Sequence, residues 1–308
     1  MPLRLLGYVE LPVHVKDGGF DHADVHAPSD RLYVAHTCND ALDVIDCAQD
    51  KYIESLPGLT GVAGALVSEP RCLVFTSNRG ENTVSVFAPH NEHEAIKIPV
   101  GVKPNGLAFD PGRGILLAAN VGNPGIPGSH TVSIIDVERR ERIAEVPVPG
   151  RTRWTVYDPA RERFYVNIAS PAKIVTIDAR SPSALVAEFD VPAAGPHGLD
   201  LDPGTSRIFC ACDAGVLFTM DAGSGRVLGK VPLSGAPDVI FMHPSVGRLY
   251  AAIGEPGAID VIDTGRMRRV ETVPTESGSH TLALDRARSK VYAFLPASHR
   301  AAVFVDRD

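Results

Sequence analysis

Four polar residues of types common in active sites follow one another at nearly constant spacing. Arg153, His197, Asp238 and His280 are 41 to 44 residues apart, and His22 has the same local surroundings near the start of the chain. Imidazole and carboxylate groups together are a common ligand set for Zn²⁺, Mn²⁺, Fe²⁺ or Ni²⁺. Without a metal, the same groups can act as general acids and bases. These residue types therefore indicate chemistry on a small molecule, provided that the fold brings them together.

The spacing follows an internal repeat. KPNGLAFDPGRGILLAANVG (103–122), GPHGLDLDPGTSRIFCACDAG (195–215) and FDHADVHAPSDRLYVAHTCND (20–40) are three of seven copies that can be aligned. Each copy holds runs rich in Val, Ile, Leu, Tyr and Phe, separated by Gly, Pro, Asp or Asn, which is strand chemistry with turns between. Four strands in about 40–45 residues are typical of one β-propeller blade.

The repeat predicts an all-β fold, a seven-bladed β-propeller with four-stranded antiparallel blades, formed by residues 1–308 as one domain. The seventh copy lacks its fourth strand. Residues 4–11, RLLGYVEL, resemble the fourth strands of other copies, so we expect the N-terminal strand to close the last blade as its outer strand. A pair of β-sandwiches is the alternative, which the regular period disfavours. The blades are expected to begin near residues 22, 63, 105, 153, 197, 238 and 280.

The position just before each first strand should face the central channel. In a closed ring, blades five, six, seven and one are consecutive, so four of these side chains share one arc. We predict this arc as the catalytic and metal-binding set: His22, His197, Asp238 and His280. Across the channel, a guanidinium could hold a substrate carboxylate through paired hydrogen bonds. The predicted substrate-binding set is Arg153, Asn105, Trp154 and His36.

Structural interpretations of the same residues stay open. A single channel histidine is usually bonded to water. Arg153 could pair with Asp190 or Glu188, and Trp154 could pack between blades. The Gly- and Pro-rich insertion at 121–130 is expected on the face of the site. No GxSxG, Walker, HExxH or paired CxxC motif occurs, so the sequence does not support those chemistries.

Composition narrows the class of protein. The 308 residues carry a net charge of −7, which disfavours nucleic acid as a partner. No apolar run approaches the roughly 20 residues that span a bilayer, and the first residues lack a signal-peptide core. Five cysteines without framework spacing indicate reduced thiols. We therefore expect a cytoplasmic protein with no membrane and no nucleic acid among its partners.

One resemblance adds to these inferences. The pattern at Pro104–Pro111, the Ala119–Asn120 pair and the TVSIID run at Thr131–Asp136 resemble the YVTN β-propeller family, also called YncE-like. The resemblance covers essentially the whole chain and implies a seven-bladed propeller. Gluconolactonase-like metal-dependent lactonases and virginiamycin B lyases are similar at a lower level, and that similarity implies a site at the channel mouth.

Taken together, the sequence predicts an enzyme that acts on a small anionic molecule at the channel mouth. A divalent metal ion (Zn, Mn, Fe, Ni or Ca) is the expected cofactor. The reaction is hydrolysis, of the lactonase or esterase kind, or elimination by a lyase. The alternatives are a propeller that binds a small ligand or metal without catalysis, or a protein-interaction scaffold.

Overall fold

The computed structural model describes residues 3–306, which form seven four-stranded antiparallel sheets arranged as the blades of a propeller. The predicted all-β, seven-bladed fold is confirmed. Residues 1–2 and 307–308 of the predicted domain lie outside the described residues. The helices in the described chain are single 3₁₀ turns at Ala27–Ser29, Thr37–Asn39, Glu69–Arg71 and Glu92–Glu94. None of these helices is long and apolar enough to span a membrane.

The strands of the first four complete blades are as follows. Blade one holds β2 (Ala23–His26), β3 (Arg31–His36), β4 (Ala41–Asp46) and β5 (Lys51–Pro57). Blade two holds β6 (Val62–Ser68), β7 (Leu73–Asn78), β8 (Thr83–Phe87) and β9 (Ile96–Pro99). Blade three holds β10 (Pro104–Asp110), β11 (Ile115–Asn120), β12 (Thr131–Asp136) and β13 (Glu141–Pro147). Blade four holds β14 (Thr152–Asp158), β15 (Arg163–Ile168), β16 (Lys173–Asp178) and β17 (Leu185–Asp190).

The remaining three blades repeat this order, and the last one includes the first strand of the chain. Blade five holds β18 (Pro196–Asp202), β19 (Arg207–Cys212), β20 (Val216–Asp221) and β21 (Val227–Pro232). Blade six holds β22 (Pro237–His243), β23 (Arg248–Ile253), β24 (Ala258–Asp263) and β25 (Arg268–Pro274). Blade seven holds β26 (Thr281–Asp285), β27 (Lys290–Leu295), β28 (Arg300–Asp306) and, at its outer edge, β1 (Leu3–Glu10).

The core lies between neighbouring blades. The second and third strands of each blade are buried on both faces, whereas an outer strand such as β13 exposes most of its residues. Continuous apolar runs such as LYVA in β3 suit a strand covered on both sides. Burying each large apolar side chain contributes roughly 1.5–3 kcal/mol, so the blade interfaces supply most of the stability.

In four of the seven blades, a tyrosine on the second strand binds the blade to the next one. A buried Tyr hydroxyl donates to an acceptor on the following blade, which is a carboxylate in three of the four cases. The same carboxylates bind a basic side chain two residues before the Tyr, as in Arg31 with Glu92 and Lys290 with Asp50. The four pairs are Tyr33–Glu92, Tyr165–Ala222 (carbonyl oxygen), Tyr250–Asp306 and Tyr292–Asp50.

The N-terminal strand closes the ring, as the sequence predicts. β1 pairs antiparallel with β28 from Leu3 opposite Asp306 to Glu10 opposite Arg300, with a register shift between Leu5 and Gly7. The observed strand begins and ends one residue before the predicted 4–11. Leu3 and Val9 are buried, and the Leu3 amide also donates to Glu271 Oε2 at 3.1 Å. Because β1 covers the edge of β28, the blade presents no long unpaired edge there.

The innermost strands surround the channel and begin at the same end of it. Pro104, Pro196 and Pro237 each open an inner strand, a position that tolerates a residue without an amide hydrogen. The predicted channel residues Asn105, Arg153, His197 and Asp238 come second in their strands, and His22 and His280 directly precede theirs. The repeat therefore places all six at one mouth of the channel.

Deletion of residues 1–11 should expose the edge of β28. Loss of buried Leu3 and Val9, at roughly 1.5–3 kcal/mol each, should lower the melting temperature by at least about 5 °C. Thermal unfolding and light scattering measure the change and any aggregation. The outward-facing Leu6→Ser should leave both unchanged. A truncated protein that stays monomeric with the original melting temperature would contradict the closure.

Candidate functional site at the channel mouth

Two cavities occupy the described channel, one at each end of the inner strands. The cavity at the start of the strands has a volume of about 690 Å³ and is lined by His22, Arg153, His197 and Asp238. The cavity at the opposite end, about 600 Å³, has more apolar walls. Trp154 lines the second cavity and stacks on the His22 ring, with centroids 3.7 Å apart and planes within 4°. This stacked pair lies between the two cavities, and the first of them is the candidate site.

His197 has a partner on both ring nitrogens. Nδ1 donates to Asp213 Oδ1 at 2.7 Å, and Nε2 lies 2.9 Å from Asp238 Oδ1. Burial disfavours the charged ring, but Asp238 and Asp213 outweigh it and raise the pKa of His197 to about 9. The ring is therefore an imidazolium at neutral pH.

Arg153 lies directly against that imidazolium. Its Nη1 is 2.9 Å from His197 Nε2, and its Nη2 is 3.5 Å from Asp213 Oδ2. Asp238 Oδ1, also at 2.9 Å, is the second neighbour of the same nitrogen, and it raises the pKa of the ring mainly through its charge. Only a neutral ring could accept a hydrogen bond from Arg153. Two cations thus meet at one nitrogen, and the carboxylates of Asp238 and Asp213 offset part of their mutual repulsion. A further anion between them, or loss of the ring proton, would reduce it more.

Further charges surround this contact. Burial opposes ionisation of Asp238, but His197, His22 and His280 hold the pKa of its carboxyl well below its usual range. Burial likewise opposes ionisation of Asp21, yet the His22 hydrogen bond and the charges of His22 and Arg79 lower its pKa. Both carboxylates are therefore charged at neutral pH.

Arg79 and Asp21 extend the site toward blades two and three. His22 Nδ1 donates to Asp21 Oδ1 at 2.6 Å. Arg79 Nη2 donates to Asp21 Oδ2 at 3.0 Å and to Asn105 Oδ1 at 2.9 Å, so the predicted substrate-binding Asn105 lies at the mouth as an acceptor. These bonds hold the Arg79 guanidinium beside the cavity, which it lines.

The predicted substrate-binding and loop residues have mixed positions. Arg153 faces the channel, and its acidic partner is Asp213, because Glu188 and Asp190 instead pair with Lys173. The insertion at 121–130 contributes Val121, Gly122, Pro124 and His130 to the cavity wall. Trp154 lies deeper, on the His22 ring, and faces the opposite cavity.

The predicted metal ligands are His22, His197, Asp238 and His280. In the described chain, no three of them have ligand atoms within 4.8 Å of one another. Both nitrogens of His197 have neighbours, and His280 Nδ1 donates to the Gly278 carbonyl at 2.8 Å. A protonated imidazole has no lone pair for a metal. The arrangement is one of ion pairs and hydrogen bonds around Asp238, and a divalent metal at this arc stays a prediction.

His36 lies outside this cavity. It ends β3, and its side chain is fully buried beside His14 and Cys38. Among the described residues, His14, His36 and Cys38 form the one group of at least three His, Cys, Asp or Glu side chains whose possible ligand atoms all lie within 4.8 Å of one another. Burial, together with the rings of His36 and His299, lowers the pKa of His14 to about 4.

Sequence reasoning missed Asp21, Arg79 and Asp213. Arg79 and Asp213 each directly follow the second strand of their blade, so they occupy a second ring of positions around the mouth. Alignment of the seven copies could have identified Arg79 and Asp213, because the equivalent residues of the other five blades are uncharged. Those residues are Thr37, Val121, Ala169, Gly254 and Pro296.

Comparison with known proteins supports the fold alone. A chain of hydrazine synthase from Kuenenia stuttgartiensis is similar in structure, with a TM-score of 0.83 over 96% of this chain and 98% of that chain. The two are 16% identical, a level at which likeness shows the fold and not the activity. The sequence matches no family model and no curated protein. Membership of the YVTN family therefore stays a prediction.

The pKa of His197 predicts a specific pH dependence. The folded value of about 9 lies above the ordinary 6.5, so the folded protein holds this proton more tightly than the unfolded chain. The resulting stabilisation is complete below pH 6.5 and is lost as the pH rises through 9. Asp213→Asn should lower the His197 pKa by about one unit, because one carboxylate partner becomes neutral.

Histidine NMR titration measures this pKa directly. Asp190→Asn serves as the control, because Asp190 is exposed and pairs with Lys173. An unchanged His197 pKa in Asp213→Asn would show that Asp213 does not hold the ring in its charged form.

Proposed function

We propose that the channel mouth binds a small anionic molecule and that His197 exchanges a proton with it. The observation that carries this proposal is the contact of 2.9 Å between the Arg153 guanidinium and His197 Nε2. Asp213 and Asp238 offset part of the charge of these two groups, and an anion that contacts both groups would offset more of it. A carboxylate or phosphate fits the planar guanidinium through two parallel hydrogen bonds.

The charge of the lining supports the same ligand class. Arg79, Lys103, Arg151 and Arg153 line the cavity against the carboxylates of Asp21 and Asp238. The His197 imidazolium adds a fifth positive charge. The chain as a whole has a net charge of −7, so this mouth is a local positive region on an acidic protein. The volume of about 690 Å³ lies within the range of small-molecule sites, roughly 300–1,000 Å³.

The proposed chemistry assigns the proton to His197 Nε2. Lactone or ester hydrolysis and elimination by a lyase can each release an oxygen leaving group that takes up a proton. An imidazolium is a general acid, and Asp213 at Nδ1 orients the ring and stabilises its charge. Arg153 would bind the anionic group of the substrate, and Asp238 would hold the ring charged until the proton leaves.

A binding protein without turnover would use the same clamp. Arg153 and the positive lining retain an anion whether or not a bond breaks. The His197→Gln variant distinguishes an enzyme from a binding protein, because glutamine keeps hydrogen-bonding groups at this position but cannot donate an acidic proton. If the protein is an enzyme, this variant still binds the anion and loses turnover.

Arg153→Lys tests the clamp. Lysine keeps the positive charge but loses the two parallel hydrogen bonds, so anion binding should weaken by about tenfold or more. Isothermal titration against inorganic phosphate and a panel of mono- and dicarboxylates measures the affinity. The matched control is Arg139→Lys, on an exposed outer turn. Equal affinities in wild type and Arg153→Lys, or no binding of any anion, would overturn the proposal.

A further inference from the structure

We propose that His14, His36 and Cys38 bind a transition-metal ion, Zn²⁺ being the ion expected, between blade one and the segment that joins β1 to β2. This site is separate from the channel mouth and does not depend on the function proposed there. Its ligand atoms are two imidazole nitrogens and one thiol sulfur, all within 4.8 Å of one another.

Two buried nitrogen atoms of this cluster have no hydrogen-bond partner. Nε2 of His36 and Nε2 of His14 are both buried without one in the described chain, and the His36 side chain is completely enclosed. A buried polar group left without a partner costs roughly 1–3 kcal/mol, so natural folds retain few of them. Both unpartnered nitrogens belong to rings next to the buried thiol of Cys38, whose weak hydrogen bond to Asn39 Oδ1 is 3.7 Å long, and one bound metal ion would give both nitrogens a partner.

The orientation of His36 is fixed from behind. Its Nδ1 donates to Asp43 Oδ2 at 2.7 Å, and Asp43 Oδ1 accepts from the Ser55 hydroxyl at 2.6 Å. A carboxylate on one ring nitrogen leaves the lone pair on the other, which is the usual support of a metal-binding histidine. Nε2 is therefore the nitrogen available to a metal.

The repeat shows that His36 and Asp43 are not needed for the blade itself. At the same two positions, blade two joins Asn78 to Ser85 at 2.8 Å, and blade three joins Asn120 to Ser133 at 2.9 Å. A neutral amide and a hydroxyl are thus sufficient to link the second and third strands. In blade one, His36 Nδ1 and Asp43 link the same two strands, and the other ring nitrogen of His36, Nε2, takes no part in this link.

The Asn39 side chain fixes the backbone on both sides of His14 by binding its two sequence neighbours. Asn39 Nδ2 donates to the Val13 carbonyl at 3.0 Å, and the Val15 amide donates to Asn39 Oδ1 at 2.9 Å. Asn39 directly follows Cys38, so the turn that carries the thiol also positions the histidine. The His299 ring is 4.4 Å from the His14 ring, and its buried Nδ1 also lacks a partner, which makes it the nearest candidate for a fourth ligand.

The donor set selects the class of metal. One thiolate with two imidazoles suits Zn²⁺ and similar ions, whereas Mg²⁺ and Ca²⁺ require oxygen ligands. When the ion binds, the Cys38 thiol releases one proton and becomes a thiolate. The thiolate and the Asp43 carboxylate then balance the two positive charges of the ion.

Metal binding at this place would strengthen the closure of the ring. β1 is bound to blade seven, and the segment that follows it carries His14, whereas His36 and Cys38 belong to blade one. An ion that ligates all three therefore links the closing segment to the first blade. Because the ion binds the folded protein, its addition should raise the melting temperature.

The experiment uses untagged, chelator-treated protein under a non-chelating reductant. Titration with Zn²⁺ by calorimetry should show one equivalent bound, with proton release and a higher melting temperature. Titration with Co²⁺ should give the sulfur-to-cobalt charge-transfer absorption of a cysteine ligand. His14→Ala and Cys38→Ser should each weaken Zn²⁺ binding by at least about tenfold, and Cys38→Ser should remove the cobalt band.

Two matched controls come from exposed residues. His93→Ala removes an imidazole bonded only to Glu54 on the surface, and Cys72→Ser removes the exposed thiol. Both should bind Zn²⁺ and Co²⁺ as wild type does. His14 lies on a connecting segment, so circular dichroism of His14→Ala should show an unchanged fold. Absence of a stoichiometric ion in wild type, or equal binding in His14→Ala and His93→Ala, would overturn the proposal. So would loss of the ion in His197→Ala but not in His14→Ala, which would place it at the channel mouth.

Discussion

The pairing of β1 with β28 is the interaction on which the rest of the structure depends. It completes the last sheet, which docks on blade one, with a strand from the other end of the chain. Closure makes the inner strands begin at a common opening. Arg153 and His197, 44 residues apart, can then meet at 2.9 Å. The charged mouth is a consequence of ring geometry, with little contribution from local sequence.

This dependence explains how much the sequence predicts. A blade is built from consecutive strands, so its period is visible in the chain, and the strand missing from the last copy points to residues 4–11. The period also fixes which residue of each inner strand comes first. For that reason His22, Asn105, Arg153, His197 and Asp238 all line the cavity at the channel mouth, whereas the predicted His280 is not among its lining residues. The fold and the positions around the mouth were thus accessible without a structure.

The pairing of side chains was not accessible in the same way. A repeat fixes where a residue stands in the ring, but the direction of a long side chain depends on its neighbours. His280 bonds the Gly278 carbonyl, and Trp154 turns inward onto His22. The segment between β1 and β2 lies outside the repeat altogether, so no period could place His14 beside His36.

The two proposed sites share one physical feature, which is an arrangement of side chains that an external ligand would stabilise. At the mouth, a guanidinium and an imidazolium meet at one nitrogen. In blade one, Nε2 of His36 is buried and has no hydrogen-bond partner. At the equivalent position of blade two, the neutral amide of Asn78 links the second and third strands through Ser85. The fold does not need the His36–Asp43 pair, because blades two and three link the same strands without charge. Seven extensive blade interfaces supply the stability that lets such costs persist. A buried nitrogen without a partner points to a ligand from outside the chain, which residue type alone does not, and this is the ground for the metal ion that we propose in blade one.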